Sequence, residues 1–172
     1  LLILAILFST LSYSQLTDAN FQTAINTCLA TNPEDGMCSD SEYGAMPDWD
    51  VSQVTDMRSA FSNFSNFNGD LSSWDVSNVT NMRDMFTQAS AFNQPIGSWD
   101  VSNVTDMSLM FNYSQAFNGN ISSWNVSSVT NMAKLFQVAR VFNQDISGWN
   151  VSSVTSMANT FDNAQAFNQD IS

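Results

Sequence analysis

The sequence has no histidine and only four basic side chains, Arg58, Arg83, Lys134 and Arg140, against 16 acidic ones. Without an imidazole there is no His-based triad, no His general base and no His zinc ligand, so the most-used catalytic and metal-site toolkits are missing. A net charge of −12 repels phosphate backbones and anionic headgroups, and neither nucleic acid nor anionic lipid is an expected partner. Charged residues are scarce altogether, at 12%, which leaves solubility to Ser, Thr, Asn, Gln and the surplus of carboxylates. This scarcity does not signal disorder, because 44% hydrophobic residues with 13 Phe and 5 Trp supply ample apolar mass for a core.

Long apolar runs are also lacking, apart from Leu1 to Phe8. That run falls well short of the roughly 20 residues that span a bilayer. It reads as a signal-peptide core, with Ser12 and Ser14 flanking Tyr13 as signal peptidase prefers and a cut before Gln15. The alternative is a buried structural helix. Residues 1–14 are thus expected to direct export, leaving a secreted or cell-surface chain with no membrane insertion of its mature part. Cysteine occurs twice, at Cys28 and Cys38. In an oxidising compartment such a pair usually bonds, and the closed loop, with its turn-rich Asn32 to Gly36, would contribute about 2–3 kcal/mol. Two free buried thiols are the alternative.

Against these absences stands a repeat. All five tryptophans, Trp49, Trp74, Trp99, Trp124 and Trp149, are spaced at 25 residues. The same period carries Phe61, Phe86, Phe111, Phe136 and Phe161, a second Phe series from Phe67 to Phe167, Met57 to Met157, and Asn68, Asn93, Asn118, Asn143 and Asn168. Met82, Met85, Phe86 and Ala89 fall at i, i+3, i+4 and i+7, the apolar stripe of a short helix. Asp56, Asn81, Asp106, Asn131 and Ser156 stand just before the stripe and are expected helix N-caps. Ile96 to Val101 shows L-x-x-L-x-L spacing, with Trp99 and Val101 on one face of a strand. The expected fold is an α/β repeat, a leucine-rich-repeat-like solenoid whose 25-residue coils each hold a short strand and a short helix. Residues 15–48 form an N-terminal cap and residues 49–172 the five coils. The next tryptophan would fall at position 174, so further repeats, a cap or a sorting domain are expected beyond residue 172.

The stretch Trp74-Asp-Val-Ser-Asn-Val-Thr-Asn-Met82, with Phe142-Asn-Gln-Asp-Ile-Ser147 closing a unit, resembles the repeat of BspA-like leucine-rich-repeat surface proteins, a bacterial lipoprotein-type group. Leu16 to Ile25 and Glu42 to Trp49 resemble the N-terminal segment of that family. The resemblance implies a secreted or surface-attached protein used in adhesion or protein interaction, and implies no catalytic residues.

Candidate sites lie on the repeat positions. The Trp ladder reads as a core ladder, with a sugar-stacking platform as the alternative. The Thr55 to Thr155 series reads as turn-capping hydroxyls, with ice or polysaccharide lattice binding as the alternative. Asp50, Asp75 and Asp100 stack and could draw calcium, but Asn125 and Asn150 replace them in the last two copies, which favours a solvated acidic stripe and no resident cofactor. Sequons such as Asn78-Val-Thr80 and Asn103-Val-Thr105 read as by-products of the repeat. Carboxylates are spread one or two per coil with no evident desolvated pair, so no enzyme is expected. The leading functional expectation is therefore non-enzymatic adhesion or binding to a surface protein or glycan. A structural spacer for a further C-terminal domain is the remaining alternative.

Overall fold

The computed structural model describes residues 13–171. Most of the expected signal peptide, residues 1–12, lies outside the described residues. The cap is built around one helix, α1 (Phe21–Thr31), whose Phe21, Ala24, Ile25, Cys28 and Leu29 form a buried stripe. Asn32 and Pro33 follow, where the helix cannot continue. A 3₁₀ turn, Met46–Asp48, leads into the first repeat. α1 closes the stack from above: the Phe21 ring meets Trp74 edge-on at 5.8 Å, and Gln22 Nε2 donates to the Ala60 carbonyl.

The strand-plus-helix coil is overturned. Beyond α1 and the 3₁₀ turn the described residues hold no further helix, and parallel pairing is confined to isolated bridges such as Asp56 with Asn81 and Asn81 with Asp106. Each unit is instead a ring of β-turns. In the first, N–H groups of Val54, Ala60, Ser62, Phe64 and Phe67 donate to the carbonyls three residues earlier, and the Trp74 N–H that opens the second does the same to Leu71. The buried residues sit at turn ends, Val51 with Val54, Met57 with Ala60, Leu71 with Trp74. Spacing of i and i+3 therefore came from turns, which share it with the first step of a helical stripe. Ile96 and Trp99 bracket such a turn rather than a strand, as do Val101 and Val104.

Two residues per unit decide against the helix. Ser59 and Asn63, and their equivalents through Asn159 and Asn163, have φ between 57 and 67°. A left-handed residue cannot propagate a right-handed helix. Its effect is to turn alternate peptide planes along the stack, so that N–H groups of Met57, Ser59, Phe61 and Asn63 donate to carbonyls of Asn81, Arg83, Met85 and Thr87 in the next unit. The expected N-caps keep their chemistry without a helix. Side-chain oxygens of Asp56, Asn81, Asp106 and Asn131 each accept the N–H two residues on, and Ser156 takes part through its backbone bridge with Asn131.

Side chains bind unit to unit as well. Phe61, Phe86, Phe111, Phe136 and Phe161 stack with centroids 5.4 to 5.7 Å apart, against the second Phe series at 3.9 to 4.4 Å within each unit. Indole N–H groups of Trp99, Trp124 and Trp149 donate to the carbonyls of Leu71, Ile96 and Ile121, each 28 residues earlier. Asn68, Asn93, Asn118 and Asn143 each accept on Oδ1 the backbone N–H of the next asparagine in the series.

At the upper end the cap supplies what a preceding unit would. Asp18 accepts from the N–H and hydroxyl of Thr55 and from the N–H of Asp56, while Glu34 O accepts the Asn68 N–H. Met46 O and Gly44 O receive the indoles of Trp74 and Trp49. The cap loop comes so close that a Cβ on Gly69 would stand 2.6 Å from the Asp35 carbonyl, whereas the same position holds Gln94, Gln144 and Gln169 in other units.

Candidate functional site

Superposing the five units by sequence divides each into a frame and a face. From Trp to Met the copies nearly agree, and Phe, Asn and Ile or Leu recur at fixed positions. Agreement fails between Arg58 and Asn66 and at the equivalent residues of the other units. There the third unit carries Leu109, Tyr113 and Gln115, and the fourth Lys134, Val138, Arg140 and Val141. All four cations of the chain lie on this segment. Arg58 pairs with Asp56 and Arg83 with Asp84, while Lys134 and Arg140 make no ion pair among the described residues. Tyr113 and Val141 are each 44% exposed. Ser108 Oγ and Asn112 Oδ1, in the third unit of the same segment, are buried without a hydrogen-bond partner.

The expected site residues fall on the frame. Trp49, Trp74, Trp99 and Trp124 are 3 to 4% exposed and Trp149 half-buried, so no described indole stands as an open sugar platform. Each Thr from Thr80 to Thr155 donates its hydroxyl to the Thr carbonyl one unit back. The sequon amides of Asn78 and Asn103 donate to Ser52 O and Ser77 O. Cys28 and Cys38 form a disulfide, with Cα atoms 5.3 Å apart. The acidic stripe is engaged locally: Asp50, Asp75 and Asp100 accept from Ser52, Ser77 and Ser102 two residues on. Among the described residues no three Cys, Asp or Glu side chains gather as a metal site. The varied face was missed because repeats are found by agreement. Its signal was the opposite one, positions where five otherwise near-identical copies part.

Several carboxyls of the cap and the units are held below their ordinary value of 3.8. At Asp75 and Asp100 the hydroxyl and then the N–H of the following Ser stabilise the anion, and at Asp70 and Asp145 the N–H leads. At Asp18 burial pushes upward, but the Thr55 hydroxyl and the N–H groups of Thr55 and Asp56 together outweigh it. A carboxyl depressed in the folded state contributes stability that is complete above the unfolded value and is lost as pH falls through the folded one. The melting temperature is therefore expected to hold from pH 7 to about pH 4.5 and to drop progressively below 3.8. Scanning calorimetry across that range checks this, and Asp18→Asn should flatten the acid limb.

Fold and face together define a class: a stacked-repeat protein in which a fixed hydrogen-bonded frame carries a varied surface. Within that class the chain belongs to the family described as Mycoplasma protein of unknown function, DUF285, which matches it over residues 36–127 and again over 96–172. No curated protein and no solved structure matches it. No helix among the described residues is long and apolar enough to cross a membrane.

Proposed function

We propose that the chain is an exported, non-enzymatic recognition protein of the BspA-like kind, a solenoid of turns that binds a surface protein or glycan through its varied face. The observation that carries this reading is the sorting of each unit into fixed frame positions and one divergent segment holding every cation. A frame alone, acting as a spacer, has no need to diversify one side only. The disulfide suits an oxidising compartment, and the Leu1 to Phe8 run suits export to it. Repeated units let several weak contacts add. Lattice binding through threonine is less well supported, because the hydroxyl protons from Thr80 to Thr155 are directed along the stack.

The test is binding of the labelled full chain to an array of extracellular proteins and glycans. Substituting the face (Arg83→Ser, Tyr113→Asn, Arg140→Ser) is expected to reduce the affinity for the ligand found by about tenfold or more. Substituting the frame (Asp75→Asn with Asp100→Asn, the residue type present at Asn125 and Asn150) should leave it unchanged. An array without a single ligand, or equal loss in both variants, would sink the proposal.

A further inference from the structure

Within the varied face, the third and fourth units depart furthest from what their backbone favours. The outer units place Ser59 with Asn63, and Asn159 with Asn163, at the left-handed positions. Asparagine reaches that region more readily than most side chains. The middle units place Leu109, Tyr113, Lys134 and Val138 there, at φ of 59 to 61°. A β-branched or bulky side chain in this conformation is strained. Burial gives a reason for Val138 but none for Tyr113 or Lys134, which are exposed. Beside them stand Arg140 and the exposed Val141, where other units carry Ser or Gln and Asn or Ala. An aromatic ring, aliphatic surface and two cations without ion pairs thus occupy neighbouring units at a cost in stability. Strain that folding does not require is stored where binding uses it.

Resting on the reading of the varied face as a binding surface, we infer that this patch of Leu109, Tyr113, Lys134, Arg140 and Val141 docks an acidic polypeptide segment with an aromatic or aliphatic anchor. Lys134 and Arg140 are the cations left without a carboxylate in a chain of charge −12. Arg58 and Arg83 already have carboxylate partners, and the Asp162 carboxylate beside the patch is engaged by Gln137 Nε2, so a partner's carboxylates are drawn to Lys134 and Arg140, which fixes register and orientation. Tyr and Arg are the side chains enriched at interface hot spots. Leu109 and Val141 offer aliphatic surface to an apolar side chain, whereas a sugar ring calls for a broader aromatic platform than the one exposed ring of Tyr113.

The probe is a random copolymer of glutamate and tyrosine, titrated into the full chain by fluorescence anisotropy beside poly-glutamate and a polyuronate oligosaccharide. The wild-type chain should prefer the copolymer. Tyr113→Asn with Lys134→Asn should weaken that binding about tenfold while raising the melting temperature by about 2–4 °C. Unchanged affinity, a lowered melting temperature, no copolymer binding, or equal binding of the polyuronate each overturns the proposal. If affinity depends instead on Arg58 and Arg83, the patch assignment fails and the varied-face reading stands. Should only Asp75→Asn with Asp100→Asn abolish binding, both fail.

Discussion

Phe111→Ala is expected to lower the free energy of unfolding by about 3–5 kcal/mol, the range for emptying an aromatic site in a core. The ring is fully buried and stacked between Phe86 at 5.6 Å and Phe136 at 5.7 Å, with Phe117 at 3.9 Å. Its neighbours cannot close the gap cheaply, because their backbones are pinned: Phe86 N–H bonds to Met110 O, and Phe111 N–H to Leu135 O. In a stack of nearest-neighbour units the gap also uncouples the halves. Urea unfolding should show a lower midpoint and a shallower slope, as the transition loses cooperativity. Phe161→Ala, at a half-buried ring of the last unit, should cost less than half as much. Equal losses at the two positions would contradict the stacked-core account.

Replacing Cys28 and Cys38 by serine is expected to cost about 2–3 kcal/mol through the chain entropy of the opened loop. The effect should be local at first. The loop presents Glu34 O to Asn68 N–H at 2.6 Å and Gly36 O to Met46 N–H at 3.0 Å, and Met46 O in turn holds the Trp74 indole. Hydrogen exchange should therefore accelerate at Met46 and Asn68 while Asn118 and Asn143, deeper in the ladder, keep their protection. Dithiothreitol on the wild-type chain should give the same pattern. Uniform acceleration along the stack would mean that the cap does not terminate the asparagine ladder.

Much of this architecture was legible in the sequence, and what was not has a definite cause. The 25-residue period located the Trp, Phe and Asn ladders, since stacking places equivalent residues over one another. Met82, Met85, Phe86 and Ala89 misled because a helix and a chain of β-turns share the i, i+3 step. The deciding feature was conformational, positive φ at Asp84 and Gln88, and neither residue type demands it. Asn81 was recognised as a capping residue, and it does accept an amide two residues on, but the turn it caps never becomes a helix. Asp18 and Glu34 were invisible as caps. Their partners, Thr55 and Asn68, lie more than 30 residues away in sequence.

The varied face shows the same division. The sequence alone establishes that these 172 residues hold no histidine and four cations, and that Trp49 to Ser172 is made of closely similar units. Tertiary structure decided which side chains those units bury and which they display, because neighbouring coils, not local propensity, satisfy the backbone N–H and C=O groups. Once Met57, Ser59, Phe61 and Asn63 donate to the next unit, the tryptophans are committed to the interior and the threonines to the stack. The segment that bears Tyr113, Lys134 and Arg140 is where the copies differ most.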